Sequence, residues 1–227
     1  MDAAANILQP YKEIIGHVTK IMTVARMLSG SLICWDIYKQ GSTRGIGIMP
    51  FLLGLALSIL NFKYGSIIRD NPVIQVGMMG AVLNAIYCLF YFYYTQRKVK
   101  ICAQFGMMGS LTVALIGYAQ IEDPGLVQKR FGLLITVFFL TLIASPLLQL
   151  KNVINNQTTE GLPFPFILSG ATITFTWLIY GVILRNEVIV IQNTIAFLLS
   201  LLQLSLFAIY PSKHRRKHRN SVRKKTN

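Results

Sequence analysis

Seven apolar stretches, each long enough to cross a bilayer, occupy most of this chain: 14–37, 47–68, 72–95, 101–121, 131–153, 164–184 and 188–210. A hydrocarbon core of about 30 Å needs roughly 20 helical residues at about 1.5 Å each. Only 13% of the 227 residues are charged and mean hydropathy is +0.52; a soluble domain carries about 25% charged residues. The expected fold is therefore an all-α membrane protein with seven transmembrane helices. Its intervening segments are short, so any activity sits among the helices. The first stretch is the most polar, with His17, Lys20, Arg26 and Asp36. Lys20 and Asp36 lie near its ends and reach the interface, and Lys63 near the end of the second stretch does the same. Arg26 is too deep for that and is expected to face other helices, because a charge at a helix centre costs about 2.5–3.5 kcal/mol. No basic segment with a small-residue cleavage site precedes the first stretch, which is not read as a cleaved signal peptide.

The chain also repeats itself at an offset of 116 residues. Residues 29–94 share 12 ungapped identities with residues 145–210. The polar, Gly and Tyr matches fall in one order: Ser29/Ser145, Thr43/Thr159, Gly45/Gly161, Gly54/Gly170, Tyr64-Gly65/Tyr180-Gly181, Arg69/Arg185 and Tyr94/Tyr210. A mostly apolar repeat of this length implies two copies of a three-helix bundle, a duplication typical of transporters. Three spans per copy would invert the second copy, and the extra span 101–121 restores its orientation. The predicted layout is a 3+1+3 chain: a first bundle over 1–95, a linker helix within 96–128, a second bundle over 129–211 and a basic tail over 212–227. Gly106, Gly109 and Gly117 in the linker helix are expected to allow close helix packing.

Charge sets the expected orientation. Fourteen Lys and Arg fall on one side: Lys39, Arg44, Arg97, Lys98, Lys100, Lys151 and eight between Lys213 and Lys225. The opposite loops hold Arg69, Lys129, Arg130 and Arg185, with Lys12 before the first span. The positive-inside rule puts the N-terminus outside and the C-terminus in the cytosol. The tail is read as a topology anchor that attracts anionic lipid, not as a nucleic-acid patch. The sequon Asn156-Gln157-Thr158 then lies in the cytosol and stays unmodified. The membrane is read as the plasma membrane, with the Golgi as the alternative.

Enzyme motifs are missing. There is no P-loop, nucleophile elbow, HExxH or intramembrane carboxylate pair. Cys34, Cys88 and Cys102 form no metal or redox spacing and read as buried small apolar residues. No cofactor or metal is expected. The eight acids lie mostly in loops, whereas a proton-coupled carrier needs an intramembrane carboxylate or His relay. The residues point to a passive carrier of a neutral, polar solute. Gln75, Asn84, Asn193 and Gln203 place amides inside spans three and seven, where each serves either an interhelical hydrogen bond or a ligand. Trp177 offers a flat ring suited to the apolar face of a sugar or to packing. Pro50, Pro163 and Pro165 stand at span starts, where proline is tolerated. Pro146 lies well inside span five, and its repeat partner is Gly30.

The stretches MLSGSLIC (27–34), STRG (42–45), MPFL (49–52), TTEGLPFP (158–165), WLIYG (177–181) and QN…LLSLLQLSLFAIYP (192–211) resemble the SWEET family of sugar transporters, in particular its animal, saliva-type members. The resemblance covers about residues 14–211. It implies two triple-helix bundles joined by a linker helix, and facilitated diffusion of a mono- or disaccharide by alternating access. It also implies that Trp177 and Asn193 contact the sugar. Pro50, Pro146 and Pro163 would act as hinges, and Tyr64 and Tyr180 are placed with them as gating candidates. The chain departs from the family pattern in its first copy. Asn61 stands where the family has a Trp, and Gly77 stands where it has an Asn, 116 residues before Asn193. Asn61 is expected to supply the amide that Gly77 lacks, as a partner to Asn193 for sugar hydroxyls. The expected partners are a small sugar and the lipid bilayer, with no nucleic acid and with a homo-oligomer possible. Two alternatives remain: a diverged paralogue that does not transport or is retuned to another solute, and a lysosomal amino-acid carrier of PQ-loop type. The latter ranks lowest, because no loop Pro-Gln dipeptide and no central carboxylate occurs.

Overall fold

The computed structural model describes residues 2–157, 159 and 164–210, with 142–152 and 156 by backbone alone. The described residues form helices joined by short turns: α1 (Asp2–Leu8), a 3-10 turn (Gln9–Tyr11), α2 (Lys12–Met27), α3 (Gly30–Gln40), α4 (Met49–Ile68), α5 (Asn71–Tyr94), α6 (Lys98–Ile121), α7 (Val127–Asn156), α8 (Phe164–Ile183) and α9 (Glu187–Ile209). Of these, α4, α5, α6, α8 and α9 are long and apolar enough to span a membrane. With the first span carried by α2 and α3, and the fifth by α7, this is the seven-span architecture. Large apolar side chains such as Val82, Ile86, Leu89, Val113, Val137, Leu198 and Leu202 are exposed along these helices. In water such a surface would aggregate; against lipid tails it is the expected exterior.

The chain divides into two compact units, Asn6–Leu142 and Ile143–Asn227 with Met1–Ala5. In the first unit α5 packs lengthwise on α4 and also on α2 and α3, while α6 packs on α4. The third span thus lies between the first and second. The seam between α4 and α5 is built on small residues. A Cβ on Gly65 would sit 2.8 Å from the Ile74 nitrogen, one on Gly77 2.5 Å from the Phe62 nitrogen, and one on Gly80 2.5 Å from the Ser58 hydroxyl. Lipid tails are as apolar as Leu, so close backbone approach supplies the attraction that the hydrophobic effect supplies in water. At one end of this unit, Ile37, Phe51, Leu52, Tyr87, Cys88 and Tyr91 form a buried cluster closed by Ile48 and Ile101.

The expected single span 14–37 is two helices. Its ladder breaks after Met27, where Ser29 and Ser31 switch to three-residue bonds on Arg26 and Leu28. The freed Met27 carbonyl accepts from the Tyr87 hydroxyl at 3.2 Å. A Cβ on Gly30 would run into the Tyr87 ring. A side chain from α5 therefore fills the break, a recognised cause of kinks, and Gly30 is the residue that admits it. In the linker helix the expectation fails differently: a Cβ on Gly106, Gly109 or Gly117 meets nothing within 4 Å. A side chain at any of the three would enter open space among the described residues, so they mark no close helix contact. Cys102, on the same helix, is exposed, whereas Cys34 and Cys88 are buried as expected.

The two copies turn from their second to their third helix by the same device. Arg69 (φ 55°) and Arg185 (φ 52°) take the left-handed conformation that ends α4 and α8. The Asp70 and Asn186 N–H groups reach back 3.0 Å to the Gly65 and Gly181 carbonyls. The same two side chains then cap the following helix: Asp70 Oδ1 accepts from the Val73 N–H at 3.1 Å and Asn186 Oδ1 from the Ile189 N–H at 3.0 Å. Reading backwards from the cap, Asp or Asn, Arg and Tyr-Gly are one turn motif. This is the physical content of the Tyr-Gly…Arg match in the repeat.

Candidate functional site

Trp177 and Asn193 lie on the paired helices α8 and α9 of the second unit. Both are half-buried. The Trp177 ring meets Tyr180 edge-on, with centroids 5.8 Å apart. Tyr180 itself is only 1% exposed and follows Trp177 by three residues on α8, so one turn of the helix carries both rings. Asn193 donates one N–H of its amide to the Ile189 carbonyl at 2.8 Å, one turn earlier in its own helix. That bond fixes the side chain and leaves a second N–H and the carbonyl oxygen for a ligand. A flat ring on one helix and a held amide on the helix packed against it are the side chains that suit a molecule with an apolar face and hydroxyl edges.

The first unit presents the equivalent positions differently. Asn61 is half-buried on α4, and Tyr64, one turn on, is 2% exposed. Gly77 is buried against the α4 backbone beside Asn61, with Phe62 opposite. No side chain fits at 77 without separating α4 from α5. Gly77 is thus more than a missing amide: it holds the seam closed. Of the other span amides, Asn84 bonds to the Gly80 carbonyl of its own helix, and Gln75 accepts from the Lys20 ammonium at 2.8 Å. The latter bond ties α2 to α5 and is one that residue types alone do not reveal. Gln192 and Gln203 are buried on α9.

The expected hinges are spread along the chain. Pro50 is the second residue of α4, where its missing N–H leaves no gap in the ladder. Pro146 lies inside α7, which continues through it from Val127 to Asn156. Pro163 lies outside the described residues. Among the described residues no three His, Cys, Asp or Glu converge to hold a metal.

A family profile described as "Sugar efflux transporter for intercellular exchange" matches the chain twice, at residues 13–99 and 129–215. The second match begins and ends 116 residues after the first, the offset of the internal repeat. The Sugar transporter SWEET1 of Drosophila pseudoobscura pseudoobscura is 30% identical over 207 residues, covering 88% of this chain and 90% of its own length. SWEET1 of Mus musculus is 30% identical over 191 residues, 81% and 86% of the two chains. The Bidirectional sugar transporter SWEET1a of Oryza sativa subsp. japonica is 30% identical over 199 residues, 84% and 72%. A solved eukaryotic SWEET transporter shares the fold with a TM-score of 0.82 at 24% identity, covering 90% of this chain and 98% of that one. A profile that fits both halves in register with the chain's own repeat, together with full-length relatives, makes this protein a member of the SWEET family.

Proposed function

We propose that the protein carries a mono- or disaccharide across a membrane by facilitated diffusion, exposing its site to each side in turn and without moving protons. The observation that carries this reading is what the packed helices α8 and α9 present: a half-buried Trp177 ring on one, and on the other the Asn193 amide with a second N–H and an oxygen uncommitted. The names of the relatives as sugar transporters support it. The acids support the absence of coupling. Asp70 and Glu187 stand at helix starts, Glu122 and Asp123 in a turn, and Asp36 is exposed on α3 close to its C-terminal end. Asn61 supplies the polar group of the first copy, Pro50, Pro146 and Pro163 serve as hinges, and Tyr64 and Tyr180 take part in gating. The N-terminus faces outward and the C-terminus the cytosol, in the plasma membrane.

The test is uptake of labelled glucose and sucrose by cells that lack their own hexose uptake, over the acid to neutral pH range. The expected result is saturable flux independent of pH. Trp177→Ala and Asn193→Ala each cut it by about tenfold, the loss expected for one ring contact or one hydrogen bond in a desolvated site. Asn61→Ala reduces it less. pH-driven flux would overturn the uncoupled reading. A second reading, a paralogue retuned to another solute, is favoured by one feature: the Gly77 seam leaves the first copy without the family's amide. It predicts that no sugar is carried by the unaltered chain.

A further inference from the structure

At the end of the first unit opposite the Tyr-Gly turn, a cavity of about 840 Å³ opens between the α3–α4 loop and the α5–α6 turn. Its charged lining consists of Arg44, Arg97 and Lys100, with no carboxylate among the lining residues. The three cations are exposed, and among the described residues none is in an ion pair. Two neighbouring cations are placed differently: Lys39 lies over the Trp35 ring and Lys98 over the Phe92 ring. The cavity thus gathers the cations of this end that have no aromatic partner.

The walls are held in place. Tyr91 donates its hydroxyl to the Ile46 carbonyl at 2.8 Å, and Gly45 (φ 83°) supplies the left-handed bend of the loop. Ile48 and Ile101, buried in the core cluster, fix the floor. Helices α4 and α6 both begin at the cavity, and neither first turn has a side-chain cap. Two positive helix ends and three cations therefore converge on one space, with the Thr43 hydroxyl and the Gln104 amide beside them. Helix N-termini with Arg and Lys are the standard means of holding a phosphate. The repeat places Lys213 and Arg216 where Arg97 and Lys100 stand but Glu160 where Arg44 stands, so of the three cations only Arg44 sets the first copy apart.

We propose that this cavity binds an anion carrying a phosphomonoester, supplied either by the phosphorylated headgroup of a lipid in the same leaflet or by a soluble phosphorylated small molecule. Basic pockets between transmembrane helices on the cytosolic side are suited to phosphorylated lipid headgroups. That setting rests on the orientation proposed above; the binding itself does not, and the test is made in detergent.

Purified full-length protein is titrated with short-chain phosphatidylinositol bisphosphate, inositol trisphosphate, inorganic phosphate and phosphatidylserine, and occupancy is read by native mass spectrometry. Three forms are compared: the unaltered chain, R44Q/R97Q/K100Q, and a chain with the tail Lys and Arg replaced by Gln. The expected result is one-to-one saturable binding of a phosphorylated probe. It weakens about a hundredfold in the cavity variant and little in the tail variant, at about fivefold for each cation. Tight binding of the lipid with weak binding of inositol trisphosphate assigns the ligand to the membrane; equal binding of the two assigns it to the soluble phase. Affinity unchanged in the cavity variant, lost only in the tail variant, matched by phosphatidylserine, or absent for every probe overturns the proposal. The three side chains are exposed, so their replacement leaves the fold in place, and an unchanged thermal transition checks this.

Discussion

One residue shows how a position can carry two meanings. In the sequence, Gly77 is conspicuous for what the family has there and this chain lacks. In the structure it stands at a close approach between α4 and α5, with the Phe62 backbone 2.5 Å from where a Cβ would stand. Nothing local distinguishes this glycine from Gly106 in α6, where a Cβ meets nothing within 4 Å. The difference lies in the partner helix, which sequence spacing does not supply; hence the α6 glycines were expected to pack and do not. Gly77→Ala should lower unfolding stability by about 1–3 kcal/mol, the usual cost of forcing atoms into a filled core. Gly106→Ala should stay within about 0.5 kcal/mol. Thermal unfolding of the two variants in one detergent separates them, and equal transitions would mean the seam is not tight. The same contact makes Gly77→Asn, the change toward the family pattern, the more damaging of the two seam substitutions.

At the scale of elements, the spans were legible because lipid allows few alternatives: length and apolarity fixed them to within a few residues. What was not legible was the break after Met27, since its cause, the Tyr87 side chain, lies 60 residues away along the chain. The turns between second and third helices fall in between. Their repeat was visible, and its meaning became visible once Asp70 and Asn186 were seen accepting from Val73 and Ile189. The chain uses Asp in one copy and Asn in the other for the same bond, so Asp70→Asn should be neutral while Asp70→Ala costs about 1 kcal/mol; chemical denaturation of both measures it. The junction of α6 and α7 has its own tie. Glu122 accepts from the Tyr118 hydroxyl and is bridged by Arg130 at 3.1 Å. The Tyr118 hydrogen bond, and after it the one from Arg130, hold the Glu122 carboxyl below its ordinary value. A carboxylate lowered on folding stabilises above its unfolded pKa, and the contribution disappears as pH falls through the folded one. Stability of the unaltered chain should thus fall more steeply on acidification below the ordinary carboxylate range than that of Glu122→Gln. Parallel pH curves for the two would remove the tie from the account.

Across the whole molecule, duplication keeps the hardware and lets the surfaces diverge. The turn motifs agree in both copies, whereas in the sequence repeat Asn61 aligns with Trp177, Gly77 with Asn193 and Arg44 with Glu160. Orientation is likewise unevenly encoded. Of the fourteen cations on the side read as cytosolic, eight lie in the tail between Lys213 and Lys225, within about 15 residues of the last span, close enough to count in the positive-inside rule. Without them the balance is six against the four of the opposite loops, too small a difference to fix insertion firmly. Epitope tags at both ends should report an N-terminus accessible on intact cells and a C-terminus accessible only after permeabilisation, with Asn156 free of glycan. Replacing the eight tail cations by Gln should produce a mixed population in which some C-terminal tags become accessible without permeabilisation. If the tail variant keeps a single orientation, the loops alone set the topology. The tail cations would then be free for the lipid surface, and the extra span would be preserving an orientation that the first bundle had already chosen.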